Sequence, residues 1–165
     1  MSSSDRRAFL ALIAGLPALA ACGFEPVYGT SGAADALRGR VQTDAPSDHY
    51  EYELVGRIEE RLGRPADPIF DLDYDITTRS VAQGITITDE ATRYHLIGDA
   101  LFILTDRRTG KKALTGKVTA FTGYSATGTT VSTLTARQDA HDRLMVMLAD
   151  QIVTRIIGSA GTLNL

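Results

Sequence analysis

Phe70-Asp71-Leu72-Asp73-Tyr74-Asp75-Ile76-Thr77 alternates apolar and polar residues without a break. Successive side chains of a strand point to opposite faces, so Phe70, Leu72, Tyr74 and Ile76 share one face and the three aspartates and Thr77 share the other. This is the pattern of a sheet with one buried and one wet side. Downstream, residues 91–105 (ATRYHLIGDALFILT) predict a second, longer strand, with Tyr94, Leu96, Ala100, Phe102 and Leu104 on one face. The run Arg107-Arg108-Thr109-Gly110-Lys111-Lys112 is a polar turn holding a glycine, and residues 113–125 follow as a third strand facing Leu114, Val118, Ala120 and Tyr124 inward. Arg79 and Arg93 flank an expected loop over 80–92.

Upstream, residues 37–43 (LRGRVQT) predict a short first strand. Asp48 and Glu51 then stand at capping-box spacing. Tyr50, Leu54, Ile58 and Leu62 recur every four residues with Val55 beside them, and Gly63 and Pro65 end the helix. Residues 122–135, dense in Thr, Ser and Gly, read as a loop. From about 133 to 157, Ala140, Leu144, Leu148, Ile152 and Ile156 form a second helical stripe, widened by Ala136, Met147 and Ala149. The order predicts an α+β domain in two layers. Two helices pack on one face of a small, mostly antiparallel or mixed sheet of about four strands.

The N-terminus is a separate piece. Residues 1–7 carry Arg6 and Arg7, and residues 8–21 (AFLALIAGLPALAA) are apolar but shorter than the ~17–25 residues of a permanent span. This is a signal-peptide pattern. Leu19-Ala20-Ala21-Cys22 resembles the lipobox of bacterial lipoproteins, where the thiol takes a diacylglycerol and the new amino terminus an acyl chain. Cys22 is the single cysteine, which also forbids an internal disulfide. Several acyl chains anchor stably where one binds marginally. Gly23, not the Asp that retains lipoproteins at the inner membrane of enteric bacteria, favours the outer membrane, with the protein held at its periplasmic face. Asp5-Arg6-Arg7-Ala8-Phe9-Leu10 partly matches a twin-arginine signal, and an ordinary export signal stays open beside it.

The expected organisation is therefore a signal peptide over 1–21, a lipidated flexible tether over 22–36, one domain over 37–158 and a frayed tail over 159–165. Cleavage removes Asp5, Arg6 and Arg7, leaving 144 residues and a formal charge of −4 against −3 for the whole chain. That balance argues against nucleic acid as a partner.

Catalytic and metal patterns are missing from the sequence. His49, His95 and His141 have no ligand-like spacing, and Asp71-x-Asp73-x-Asp75 lacks the Gly and Glu that complete a calcium loop. Gly123-Tyr124-Ser125-Ala126-Thr127-Gly128 carries its second glycine one residue late for a nucleophile elbow. No enzyme, metal or cofactor is expected beyond the acyl groups on Cys22. The basic turn is the charged feature with a functional reading. Arg107, Arg108, Lys111 and Lys112 suit phosphate groups, while a solubilising hairpin tip is the plainer alternative.

Cys22-Gly23-Phe24, Gly29, the order of elements, Tyr94-His95-Leu96 with Leu101, Phe102 and Leu104, and the stretch Ala140-His141-Asp142-Arg143-Leu144 through Leu148-Ala149-Asp150-Gln151-Ile152 together resemble the LptE family of lipopolysaccharide-assembly lipoproteins. The likeness covers most of residues 22–158, and its sharpest motif, Cys-Gly-Phe, is shared with other lipoproteins. It implies an outer-membrane lipoprotein seated as a plug in an LptD-type β-barrel, assisting barrel assembly and lipopolysaccharide passage to the outer leaflet. The membrane contact is then the inner leaflet of the outer membrane, through the lipid anchor. A plug in a polar lumen calls for a polar outer surface, which Asp71, Asp73 and Asp75 supply. Lipopolysaccharide phosphates are the expected ligand of the basic turn. An auxiliary lipoprotein of an ABC-type lipid transporter is the alternative, and a periplasmic lipoprotein hydrolase a weaker one.

Overall fold

A computed structural model of the chain describes residues 32–85 and 91–163. The signal segment 1–21 and Cys22 lie outside the described residues. The elements are α1 (Ala33–Leu37), β1 (Val41–Thr43), α2 (His49–Leu62), β2 (Phe70–Ile85), β3 (Ala91–Asp106), β4 (Lys111–Ser125) and α3 (Thr130–Gly158), then a 3₁₀ turn over Ala160–Thr162. The four strands lie in sequence order. β1 runs parallel to β2, with Val41 opposite Phe70, and the other pairs are antiparallel. In the long ladder Phe70 faces Asp106 and Tyr74 faces Phe102. In the next, Tyr94 faces Tyr124 and Ala100 faces Val118.

The alternation decides the layering. Phe70, Leu72, Leu96, Ala100, Phe102, Leu104, Val118 and Ala120 are buried on one face, beneath the two long helices. α2 contributes Leu54, Ile58 and Leu62, and α3 contributes a wider strip from Ala140 to Ile157. Each of the larger side chains, fully removed from water, stabilises the fold by roughly 1.5–3 kcal/mol before entropy is counted. Two glycines make room on this face, Gly98 for the helix above and Gly116 for the ring of its neighbour on β3. A Cβ on Gly98 would sit 2.9 Å from Leu144 Cδ2 and 3.1 Å from Leu148 Cδ1, and one on Gly116 would sit 2.6 Å from the Phe102 ring. Polar groups tie α3 to β4, since Thr122 donates to the Ala140 carbonyl at 2.9 Å and Gln151 to the Thr119 carbonyl at 3.1 Å.

The helices are capped and cross-linked. The Asp48 carboxylate accepts from the Glu51 N–H at 2.9 Å, and the Glu51 carboxylate in turn accepts from the Ser47 N–H at 2.6 Å. Asp150 of α3 takes both Arg57, at 2.9 Å, and Arg61, at 2.6 Å, from α2. Burial works against ionising Asp150, but the hydrogen bonds from Arg57 and Arg61 outweigh it and hold the carboxyl below its ordinary range.

Several boundaries differ from the sequence reading. The strand expected over 37–43 shrinks to Val41–Thr43, and α1 forms inside the stretch read as tether, because Ala34 and Leu37 pack into the core. Gly39, at φ 69°, makes the turn between them. β2 continues to Ile85 and takes up the first part of the expected loop, its outer residues exposed and held by the ladder with β3. β4 and α3 close in on the loop expected over 122–135, leaving 126–129. Met147 is 41% exposed, while Met145, Val153 and Ile157 fill the strip instead. Within the tail read as frayed, Ala160 and Leu163 are buried.

Candidate functional site

The other face of the sheet carries no helix among the described residues. Register lines up its side chains in rows: Asp73, Ile103 and Thr115; Asp75, Leu101 and Lys117; Thr77, Asp99 and Thr119; Arg79, Ile97 and Phe121. The polar part is organised around Asp99. Its carboxylate accepts from the Thr119 hydroxyl at 2.7 Å, from Arg79 at 2.8 Å and pairs with Lys117 at 3.0 Å. Those donors, Thr119 foremost, hold Asp99 far below the usual carboxylate range. The apolar part is open to solvent: Leu101 is 52% and Phe121 63% exposed, and His95 stacks on Phe121 with ring centres 5.7 Å apart.

The aspartates 71, 73 and 75 lie on this face as the alternation requires, but β3 and β4 give it an apolar stripe as well. Ile97, Leu101, Ile103 and Phe121 went unassigned in the sequence reading. The signal was present, since residues 96–97 and 101–104 place apolar side chains at both parities, which a strand with one wet face does not need.

The basic turn joins β3 to β4, with Gly110 at φ 67° supplying the left-handed residue. Asp106 builds the turn from inside. Its carboxylate accepts from the Arg108 N–H at 2.8 Å and the Thr109 N–H at 3.3 Å, and it pairs with the Arg108 guanidinium at 3.2 Å. The Arg108 side chain pulls the Asp106 carboxyl below its ordinary value. Arg107 pairs with Asp71 of β2 at 3.0 Å. Lys111 and Lys112 are exposed and form no ion pair among the described residues. The structure keeps Arg79 and Arg93 away from this cluster. Arg79 pairs with Ile97 in the ladder, nine positions along β3 from Asp106, or about 30 Å at ~3.4 Å per residue.

His141 and Ser125 serve the fold. His141 lies between α2 and α3, 7% exposed, stacked on Tyr50 with ring centres 4.5 Å apart. Burial lowers its pKa, the Arg137 charge adds to that, and its Nδ1 has no hydrogen-bond partner among the described residues. The Ser125 hydroxyl donates to the Thr92 carbonyl at 3.3 Å and shares a bond with Thr127 at the strand end. Among the described residues no group of three or more His, Cys, Asp or Glu is placed to hold a metal ion. Nor is any helix among them long and apolar enough to cross a membrane.

The LptE, lipopolysaccharide-assembly, family model matches residues 27–156. Solved structures with the same fold include a protein from Caulobacter crescentus described as a lipoprotein. It is 18% identical, with a TM-score of 0.67 over 81% of this chain and 98% of that one. The rare lipoprotein B from Shewanella oneidensis gives 14% identity and a TM-score of 0.60 over 76% and 98%. A minor lipoprotein from Acinetobacter baumannii gives 20% and 0.53 over 73% and 90%. At these identities the likeness speaks for the fold alone. A comparison with curated protein sequences gives no match.

Proposed function

Because the chain belongs to the LptE, lipopolysaccharide-assembly, family, we propose that it is an outer-membrane lipoprotein that plugs an LptD-type β-barrel. In this role it assists the barrel's assembly and the passage of lipopolysaccharide to the outer leaflet. The anchor in this reading is the acylated Cys22, at the periplasmic face.

The observation that carries the reading is the sheet face that no helix among the described residues covers. A plug must present a broad surface that tolerates both water and the polar wall of a barrel. The Asp99 network with its flanking Leu101, Ile97 and Phe121 is such a surface, and no helix among the described residues covers it. The role is non-catalytic. Lipopolysaccharide phosphates meet the basic turn, where Lys111 and Lys112 bring the charges not already committed to Asp71 and Asp106.

Three measurements test this. Mass spectrometry of the membrane-extracted protein should find Cys22 at the new amino terminus carrying acyl groups, and an unmodified Cys22 would remove the anchor. Purification from detergent-solubilised outer membrane should bring down a stoichiometric β-barrel. Neutralising Arg107, Arg108, Lys111 and Lys112 should weaken lipopolysaccharide binding while barrel association is kept. Because Arg108 also shapes the turn, Lys111→Gln with Lys112→Gln is the cleaner variant, and unchanged binding in both would remove the idea.

A further inference from the structure

The two edges of the sheet are treated differently by the fold. Along β4, α3 covers part of the edge, since Gln151 donates to the Thr119 carbonyl at 3.1 Å and Arg143 to the Gly123 carbonyl at 3.3 Å. Along β2 the even-numbered residues point their backbone groups away from β3. The Leu72 carbonyl accepts from the Asp44 N–H at 2.9 Å on that side, and the Phe70 N–H donates to the Arg40 carbonyl at 3.1 Å. β1 stops at Thr43, opposite Leu72. Beyond it, the outward N–H and C=O groups of Tyr74, Ile76, Thr78 and Ser80 have no hydrogen-bond partner among the described residues. The bare stretch over 74–80 is about 20 Å long at ~3.4 Å per residue, enough for one ordinary strand.

A free edge is usually blunted by proline, lysine or a covering loop, because it templates pairing with another chain. Residues 77–80 (TTRS) hold no proline, and their one cation, Arg79, is drawn across the open face to Asp99 at 2.8 Å.

Beside this edge a cavity of about 250 Å³ opens under the start of α2, with Asp48, Glu51, Ile76, Thr78 and His141 in its lining. The Asp48 carboxylate accepts from the Glu51 N–H through one oxygen, and the Glu51 carboxylate accepts from Ser47 and Tyr74 through one of its own. Each keeps a second oxygen for another donor. His141 is 7% exposed and brings a ring nitrogen without a partner among the described residues. Asp44 also acts on Tyr74, Asp142 acts on His141, and Asp73 and Asp75 stand on β2 itself. Against these carboxylates stand Arg137 and His49, the latter 3.9 Å from Asp142. Arg79 and Lys117 are both paired with Asp99. The surroundings of the bare edge are acidic.

We propose that the β2 edge over 74–80 pairs with an extended segment of the barrel partner, and that a lysine or arginine of this segment fills the acidic cavity. The proposal deepens the plug reading and rests on it. All strands of a closed barrel are already paired, so the segment is a loop or a chain terminus and not the barrel wall. In strand addition the main-chain hydrogen bonds give affinity, and pockets for alternate side chains give specificity. An added strand turns every second side chain toward the helices, above the cavity that Ile76 and Thr78 line. The edge is continuous with the open sheet face, so one partner covers both.

The test is residue-resolved hydrogen exchange on the intact protein, free and in the complex recovered from detergent-solubilised outer membrane. In the free protein the amides of Ile76, Thr78 and Ser80 should exchange ~10-fold or more faster than those of Thr77 and Arg79, which face β3. In the complex the three should slow by ~10-fold or more. Ser80→Pro removes an edge-facing N–H, which an edge strand tolerates, so the melt should hold while barrel affinity falls ~10-fold. Asp48→Asn keeps the helix cap and should lower that affinity several-fold. A barrel present while the three amides stay fast overturns the strand pairing and leaves the plug reading standing. Recovery without a barrel overturns both. Slowing that follows protein concentration in the absence of a barrel gives the edge to a second copy and overturns the choice of partner. Unchanged affinity in Ser80→Pro overturns the pairing, and in Asp48→Asn the cation in the cavity.

Discussion

Replacing Leu101 and Phe121 with threonine asks whether the open sheet face is a contact surface. Phe121 is 63% exposed, so burying the rest of a side chain that presents about 200 Å² would remove about 125 Å² from water. At ~25 cal/mol per Å² that is about 3 kcal/mol. Leu101, 52% exposed, adds about half of a leucine's full burial, or ~1 kcal/mol. Threonine keeps a methyl and an interface covers such groups incompletely, so about 3 kcal/mol is expected for the pair, a loss of ~150-fold in affinity. Threonine suits a strand and neither side chain supports the core, so the fold should change by about 1 kcal/mol or less. The assay is binding of the purified double variant to the isolated barrel in detergent, with its thermal melt measured alongside. Unchanged affinity in a normally folded variant would refute the placement of the barrel on this face. A large fall in Tm would refute the claim that these side chains are surplus to the fold.

Other outcomes follow from the same geometry. Gly98→Val should cost ~1–3 kcal/mol, because its side chain meets Leu144 and Leu148 at 2.9 and 3.1 Å, and a urea midpoint equal to that of the parent would contradict the packing. His141 is held neutral by burial, so its folded pKa lies below the unfolded value of about 6.5. Its contribution is therefore complete above pH 6.5 and is lost as the pH falls through the folded pKa. His141→Phe should flatten the drop in stability between pH 7 and pH 5, and a drop of the same size in the variant would remove His141 as its source. Asp150→Ala should lower the urea midpoint by unlinking Arg57 and Arg61 from α3, with the effect shrinking in 1 M NaCl. A salt-independent loss would point to packing instead.

The layering was legible because it depends on parity. Phe70, Leu72, Leu96, Phe102 and Val118 alternate in sequence and all face the helices, and the four-residue spacing of Leu54, Ile58 and Leu62 marks the matching helix face. What resisted reading was structure held by something other than burial. The outer half of β2, from Thr77 to Gln83, is exposed on both faces and exists because β3 pairs with it, so no hydrophobic period announces it. α1 is only five residues long, and its two buried side chains look like linker residues until the core around them is known. The basic turn was visible as a run of charge. The pairing of Arg107 with Asp71 was not, because only the strand register brings that carboxylate to the turn.

The central claim is that this lipopolysaccharide-assembly family member works inside a barrel. Isolation of the affinity-tagged protein from detergent-solubilised outer membrane, with the bound proteins weighed by native mass spectrometry, tests it most directly. A one-to-one complex with a single large β-barrel is the predicted result. Recovery with an inner-membrane transporter complex, or as a free lipoprotein with no barrel attached, would contradict it.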